Sequence, residues 1–106
     1  MINKKILGLI GLSAKAGKIS FGSDSVENDL KKRKIHLVIV AEDSSDRTKE
    51  KFKKICEEFN VPIIFLGSID ILSKTIGKNN KAIIGIKDIN LSNEINKISY
   101  GGEIIG

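Results

Sequence analysis

Apolar and polar residues follow one another along the chain in blocks whose spacing switches between that of a helix and that of a strand. The clearest helix lies in EDSSDRTKEKFKKICEEFN, where Phe52, Ile55, Cys56 and Phe59 recur at i, i+3, i+4 and i+7. Ser44, Ser45 and Asp46 are the candidates for its N-cap. The clearest strand is IHLVIVA, residues 35–41, because an unbroken run of this kind is typical of a strand covered on both faces. This segment is therefore the predicted central strand.

The other segments complete an alternation of helices and strands without a repeat or a linker. Helix caps, glycine stops and one proline at the start of a strand mark their boundaries. We therefore expect one domain over residues 1–106, built as a three-layer α/β/α sandwich around a four-stranded mixed sheet. The segments in order are a first helix with its stripe at 2, 6, 9, 10 and 14, a short strand in AGKISF, a second helix opened by Ser23 and Asp24, the strand IHLVIVA, a third helix, the strand VPIIFL, a fourth helix capped by Ser68 and ended by Gly77, the strand AIIGIKD, a fifth helix NLSNEINKISY and a frayed tail over 101–106.

The composition indicates the net charge of the protein and the compartment in which we expect it. The 106 residues are 41% apolar, enough for a core of their own, and carry a formal charge of +5. The single cysteine, Cys56, falls in an apolar helical stripe, which predicts a packed thiol in a reducing compartment. No apolar run reaches the roughly 18 residues that a membrane span needs. We therefore expect a cytoplasmic protein without a membrane partner.

Motifs for catalysis are weak. GLSAKAGKIS resembles a phosphate-binding loop, but five residues separate Gly11 from Gly17 and Ile19 stands where a hydroxyl must hold magnesium. His36 is the only histidine and has no evident nucleophile beside it, which favours a side chain at the rim of the sheet. The acid pairs 42–43 and 57–58 lie among lysines. We therefore predict a protein that is not an enzyme and needs no cofactor, metal or small-molecule substrate.

The stretch SFGSDSVENDLKKRK places a bare helix start close to a dense basic end. A helix start presents unpaired N–H groups and a partial positive charge, and Gly22 lets a partner approach the backbone. Asp24, Ser25 and Asn28 then offer donors and acceptors that suit base edges. The cations expected to flank this site with phosphate contacts are Lys15, Lys18, Lys32 and Arg33.

An ordinary helix explains the same residues. In that interpretation Ser23 and Asp24 satisfy the free N–H groups, and the lysines complement the dipole at the other end. The pattern of residues leaves both interpretations open.

Several segments together resemble the ribosomal L7Ae family of kink-turn RNA-binding proteins, in particular its small bacterial ribosomal-protein-like members. The resemblance spans roughly residues 4–90 and is carried by LGLIGLSAKAGKISFG, HLVIVAEDSSDRTKEKF, NVPII and the helix ending in IGK. It implies the α/β/α sandwich and a non-catalytic RNA-binding function, with structured ribosomal or messenger RNA as the partner and the ribosome as an expected location.

The family reads tandem sheared G·A pairs through a Gly-x-Asn-Glu-x-x-Lys signature and covers a flipped-out nucleotide with an apolar loop after the fourth helix. By resemblance, Gly22 is the glycine, Asp24 and Ser25 are the polar readers, and Asn28 takes the lysine position. By the same resemblance the loop corresponds to residues 78–85, with Ala82, Ile83 and Ile84 as its apolar part. The predicted RNA-binding residues are therefore Lys15, Lys18, Gly22, Ser23, Asp24, Ser25, Asn28, Lys32, Arg33, Lys81, Ala82, Ile83 and Ile84.

Two other functions stay open on the sequence. A protein-interaction or scaffold module could keep this fold and have lost specific RNA recognition, since the chain departs from the family signature at Asp24, Ser25 and Asn28. A ligand-binding or enzymatic domain could use the carboxyl ends of its strands, although the chain lacks a glycine-rich phosphate loop.

Overall fold

The nine predicted elements are present in the predicted order. The computed structural model describes the backbone of residues 3–105 and the side chains of residues 3–99. The backbone over 101–105 continues α5 beyond the predicted end of the fifth helix, and the fraying predicted for 101–106 stays a prediction. The elements are α1 (Lys4–Lys15), β1 (Ile19–Phe21), α2 (Ser23–Lys31), β2 (Leu37–Val40), α3 (Asp46–Glu58), β3 (Ile63–Phe65), α4 (Ile69–Thr75), β4 (Ile83–Ile86) and α5 (Ile89–Ile105).

The four strands form one mixed sheet in the order β1-β4-β2-β3. β4 runs antiparallel to both β1 and β2, whereas β2 and β3 are parallel. The register places Ile84 between Phe21 of β1 and Ile39 of β2. The prediction of a mixed sheet with β2 inside it is confirmed, and β4 is the second inner strand.

Alternation along the two inner strands divides the core into two halves. Leu37 and Ile39 point to the face covered by α1, α4 and α5, whereas Val38 and Val40 point to the face covered by α2 and α3. All four side chains are fully buried. Each buried aliphatic side chain contributes about 1.5–3 kcal/mol to folding. The sheet is therefore the middle layer of the expected α/β/α sandwich.

Side-chain caps fix where α3 and α4 begin. Ser45 and Ser68 each accept a hydrogen bond of 3.1 Å from the amide three residues later. Asp43 Oδ1 also accepts a 2.9 Å hydrogen bond from Ile69 N at the first residue of α4. Among the three candidates for the N-cap of α3, Ser45 is therefore the cap, and Asp43 ties the loop after β2 to α4.

The thiol of Cys56 lies in the core between the sheet and α3. It is 1% exposed, and burial raises its pKa to about 12. The prediction of a packed thiol is thus confirmed. Within the described residues, none of the helices has both the length and the apolar character that crossing a membrane requires.

Gly85 provides a test of how tightly the inner strands are packed. A Cβ added to Gly85 would lie 2.6 Å from Cδ1 of Ile35 and 3.3 Å from its Cγ1 and Cγ2 atoms. Ile35 is 2% exposed and has little room to move. We expect Gly85→Ala to lower the free energy of unfolding by about 1–3 kcal/mol, measured by urea denaturation.

Gly8→Ala is the matched control, because Gly8 is exposed inside α1 and an added Cβ meets no atom within 4 Å. Alanine should stabilise this helix by up to about 1 kcal/mol. Equal effects of the two substitutions would contradict the packing of Gly85 against Ile35.

Candidate nucleic-acid interface

The first turn of α2 stands at one edge of the sheet, where β1 ends. Gly22 N donates a 2.9 Å hydrogen bond to Ile83 O, which extends the pairing of β1 with β4 by one residue. Gly22 has φ 87° and ψ 157°, a conformation that favours glycine. A Cβ added there would meet no atom within 4 Å. The backbone at the start of α2 is therefore open to a partner.

The N–H groups of this first turn have no side-chain cap. Gly22 is the N-cap residue and makes no side-chain hydrogen bond, so helix geometry leaves the amides of Ser23, Asp24 and Ser25 without an intrahelical acceptor. All three residues are exposed. Helix α2 begins at Ser23 as predicted, but the cap that the ordinary-helix interpretation requires is missing at its N-cap.

Three of the predicted contact residues form a stripe along α2. Ser25, Asn28 and Lys32 are spaced i, i+3 and i+7, which places them on one face of the helix, and all three are exposed. We call them the α2 stripe. It continues the surface of the first turn along the helix and ends in a cation.

A second segment, from much later in the chain, lies at the same edge of the sheet as the start of α2. The α4–β4 loop, residues 78–82, is held by buried Ser73, whose Oγ accepts a 2.7 Å hydrogen bond from Lys81 N and donates one of 3.2 Å to Lys81 O. Ala82 O accepts a further hydrogen bond of 2.9 Å from Ala41 N. The loop is therefore fixed to α4 and to the residue that follows β2.

Phe21 joins this loop to the start of α2. Lys78 Nζ and Lys81 Nζ lie 5.1 and 5.5 Å from the centroid of its ring, within the range of a cation–π interaction. Phe21 directly precedes Gly22, and Gly22 N bonds to the carbonyl of Ile83 immediately after the loop, so the loop and the first turn are neighbours at this end of β1. The structure thereby brings the predicted second-helix site and the predicted loop into one surface.

The apolar part of the predicted loop is wrong. Ile83 and Ile84 belong to β4 and are 2% and 0% exposed, because each points into one half of the core. They are therefore not available to cover a nucleotide. Ala82 is half-buried beside both halves of the core, and the loop itself is Lys-Asn-Asn-Lys followed by this alanine. Its accessible chemistry is basic and polar rather than apolar.

Two of the predicted flanking cations lie at the opposite edge of the sheet. Lys18 precedes β1, and its carbonyl accepts a 2.8 Å hydrogen bond from Lys87 N. Arg33 follows the C-terminal end of α2, about 15 Å along the helix from Gly22. The structure places these two cations at the opposite ends of β1 and α2 from Gly22, and their contact with RNA stays a prediction.

Lys15 lies elsewhere, at the end of α1. It lines a shallow cleft of about 360 Å³ together with Lys74 and Gly77 of the α4 end. Gly77 directly precedes the α4–β4 loop. Lys15 is therefore placed beside the base of that loop rather than beside α2.

Asp29 fixes the orientation of α2 and had no signal in the sequence. Its Oδ2 accepts a hydrogen bond from Ser20 Oγ in β1 and lies 3.2 Å from Lys87 Nζ beyond β4. The hydrogen bond from Ser20, with a smaller effect of Lys87, holds the pKa of this carboxyl below its ordinary value. The carboxylate therefore joins α2 to β1 and to the residue that follows β4.

The fold and this surface define a small α/β/α domain that presents a helix start and a basic loop at one edge of a mixed sheet. The chain belongs to the ribosomal protein L7Ae/L30e/S12e/Gadd45 family, whose family model matches residues 4–96. The resemblance noted in the sequence is thereby confirmed.

Individual relatives cover most of the chain. It is 33% identical over 98 residues to the RNA-binding protein YlxQ of Enterococcus faecium, covering 92% of this chain and 94% of that protein. It is 25% identical over 97 residues to the large ribosomal subunit protein eL8 of Thermoplasma acidophilum, covering 91% and 80%. A solved structure from Bacillus halodurans C, titled as a protein with unknown function, superposes with a TM-score of 0.87 at 29% identity and covers 91% of this chain and 97% of its own.

Ser73 allows the order of the α4–β4 loop to be tested. In Ser73→Ala, Lys81 loses the hydroxyl partner of both its N–H and its carbonyl. We expect a loss of about 1–2 kcal/mol in the free energy of unfolding and faster hydrogen exchange at the Lys81 amide, read by NMR. Thr75→Ala removes an exposed hydroxyl bond to Ile71 O in the same helix and should leave this amide protected. Unchanged exchange in Ser73→Ala would contradict the anchoring.

Asp29 gives stability a pH dependence of known sign. A carboxyl whose folded pKa is lowered stabilises the fold above its ordinary pKa, and this contribution is lost as the pH falls through the folded value. We therefore expect Asp29→Asn to have a lower free energy of unfolding than the natural protein at pH 7. The difference between the two free energies should become smaller below about pH 4. Urea denaturation at several pH values measures it. Glu58→Gln, at the exposed end of α3, is the control, and a gap that is independent of pH would contradict the role of Asp29.

Proposed function

We propose that this protein is a non-catalytic, cytoplasmic RNA-binding protein that holds a kink-turn-like RNA at the start of α2 and the α4–β4 loop. The observation that carries the proposal is the convergence of an uncapped first turn with two lysines held over Phe21. Relatives named as an RNA-binding protein and as a large-subunit ribosomal protein support RNA as the partner and the ribosome as its source.

The first turn offers groups that suit base edges. Its amides and the positive end of the helix dipole favour electronegative atoms. The carboxylate of Asp24 accepts hydrogen bonds from the exocyclic amines that sheared G·A pairs present, and Ser25 and Asn28 both donate and accept. Open space above Gly22 allows a base pair to approach the backbone. This combination supports recognition of paired purines rather than of phosphate alone.

Cations around the first turn supply affinity. Lys32, Lys78 and Lys81 take part in none of the salt bridges among the described residues, so their charges are free to meet phosphates. Each neutralised phosphate releases bound counterions, which makes the affinity fall with salt. These charges also offset the repulsion between Asp24 and nearby phosphates.

One observation favours a second function. Asp24 is an exposed carboxylate beside amides that would otherwise suit phosphate. A protein-interaction module of the same fold, with no specific RNA recognition, would tolerate this aspartate more easily. The two functions differ in whether G·A pairs are read.

The test compares a generic kink-turn RNA with the same RNA in which the tandem G·A pairs are replaced by Watson–Crick pairs. We expect the protein to prefer the kink-turn by about tenfold or more, equivalent to about 1.4 kcal/mol, in a fluorescence anisotropy titration. Equal and salt-labile binding of both RNAs would overturn the proposal and favour the interaction module.

Lys81→Ala tests the contribution of the loop in the same assay. Loss of one phosphate contact should reduce the slope of log affinity against log salt by about 0.7–0.9. Lys54→Ala is the matched control, because this exposed lysine lies on α3, outside the proposed contact surface.

A further inference from the structure

Helix α2 ends in a backbone conformation that glycine adopts more easily than arginine. Arg33 has φ 58°, and its amide donates a 3.0 Å hydrogen bond to Leu30 O, while Lys34 N donates one of 2.9 Å to Asp29 O. This pair of hydrogen bonds is a Schellman motif, whose left-handed position is usually glycine. An arginine there crowds its own Cβ against the carbonyl that follows. The local backbone conformation therefore does not explain why position 33 is an arginine. The reason must lie in what its side chain contacts.

The side chain of Arg33 lies on an aromatic ring. Its Cζ is 5.4 Å from the centroid of Phe59, the residue that ends α3. A guanidinium stacked in this way keeps its N–H edge free and oriented for the two oxygens of a phosphate or carboxylate. Among the described residues, Arg33 takes part in no salt bridge.

The stacked pair borders a groove at the edge of the sheet opposite Gly22. The groove has a volume of about 240 Å³, and Arg33, His36, Phe59 and Asn60 are among the residues that line it. His36 N donates a 2.8 Å hydrogen bond to Ile86 O, which fixes this histidine at the start of β2.

Other charges decide how an anion would approach the groove. Lys34 is exposed beside Arg33, and Lys18 is exposed farther along the same edge. Asp29 is occupied by Ser20 and Lys87. Glu57 and Glu58 lie at the end of α3 on the far rim, so an anion should approach from the side of α2.

We infer that this groove is a second anion site, which takes a phosphodiester group of an RNA segment other than the one held at Gly22. Arg33 contacts the phosphate through its N–H edge while Phe59 holds the guanidinium in place. The inference rests on the proposed function only for the identity of the ligand as RNA. It assigns the two ends of α2 to two RNA segments, about 15 Å apart along the helix.

The test uses Arg33→Gly, which suits the left-handed backbone and should fold. The protein is first saturated with unlabelled kink-turn RNA, and a labelled RNA duplex without a kink-turn is then titrated in. We expect Arg33→Gly to weaken duplex binding by about tenfold and to reduce its salt slope by about 0.7–0.9. The same substitution should raise the melting temperature and leave the affinity for kink-turn RNA within about twofold. A residue with only a structural role would not gain stability while losing a ligand.

Duplex binding by Arg33→Gly that equals that of the natural protein would overturn the inference, as would a lower melting temperature. Arg33→Lys keeps the charge but loses the planar fork, so an intermediate loss of duplex affinity is expected. Lys54→Ala removes one cation from α3 and should change neither the affinity for the duplex nor the melting temperature. If poly-glutamate binds at the groove and the RNA duplex does not, the groove would instead take an acidic protein partner, which would also overturn the inference. If kink-turn RNA does not bind at all, the proposed function fails, and duplex titration of the free protein still tests Arg33.

Discussion

The antiparallel pairing of β1 with β4 is the constraint on which the interface depends. β1 has three residues, and its last, Phe21, lies opposite Ile84 before Gly22 N bonds to Ile83 O. Because α2 begins where β1 ends and the α4–β4 loop ends where β4 begins, this pairing joins two segments that are distant in the chain. A slip of one residue would turn Phe21 to the other face of the sheet and remove the ring from beneath the two lysines. The surface therefore requires this particular register, and not only this fold.

Preorganisation is the second property of the interface. A free loop with two lysines would lose backbone and side-chain entropy on binding RNA, which lowers affinity. Here Ser73 holds the backbone of Lys81, and Phe21 holds the ammonium groups of Lys78 and Lys81. Lys32, in contrast, is exposed at the end of the α2 stripe and takes part in none of the salt bridges that the described residues make. The loop lysines should therefore contribute to geometry as well as to charge, whereas Lys32 contributes charge alone.

Features that depend on local spacing could be predicted from the sequence. The order of the elements, the inner position of β2, and the cap at Ser68 each follow from residues within one turn or one strand. Features that depend on pairing partners could not. The apolar residues of AIIGIKD suit a surface that covers a ligand as well as they suit a strand in the core. Only the pairing of β4 within the sheet shows that Ile83 and Ile84 are buried. Asp29, Asp43 and Ser73 each accept a hydrogen bond from another segment of the chain, and an isolated polar residue has no periodicity that would reveal such a bond.

Helix α2 departs from the local optimum at both ends, and each departure exposes a polar group. At its start, the turn from β1 imposes φ 87° and requires glycine, so the helix forgoes the hydroxyl or carboxylate cap that α3 and α4 possess, and its amides stay open. At its end, arginine occupies a position that glycine would fill with less strain, and a guanidinium is displayed on a ring. Natural sequences violate local preferences mainly at functional sites, where the lost stability is offset elsewhere in the fold. The anchoring of its middle by Asp29 and the buried side chains of Val26 and Leu30 supply that offset here. Helix α2 is therefore the element that holds the two proposed binding surfaces at a fixed distance from each other.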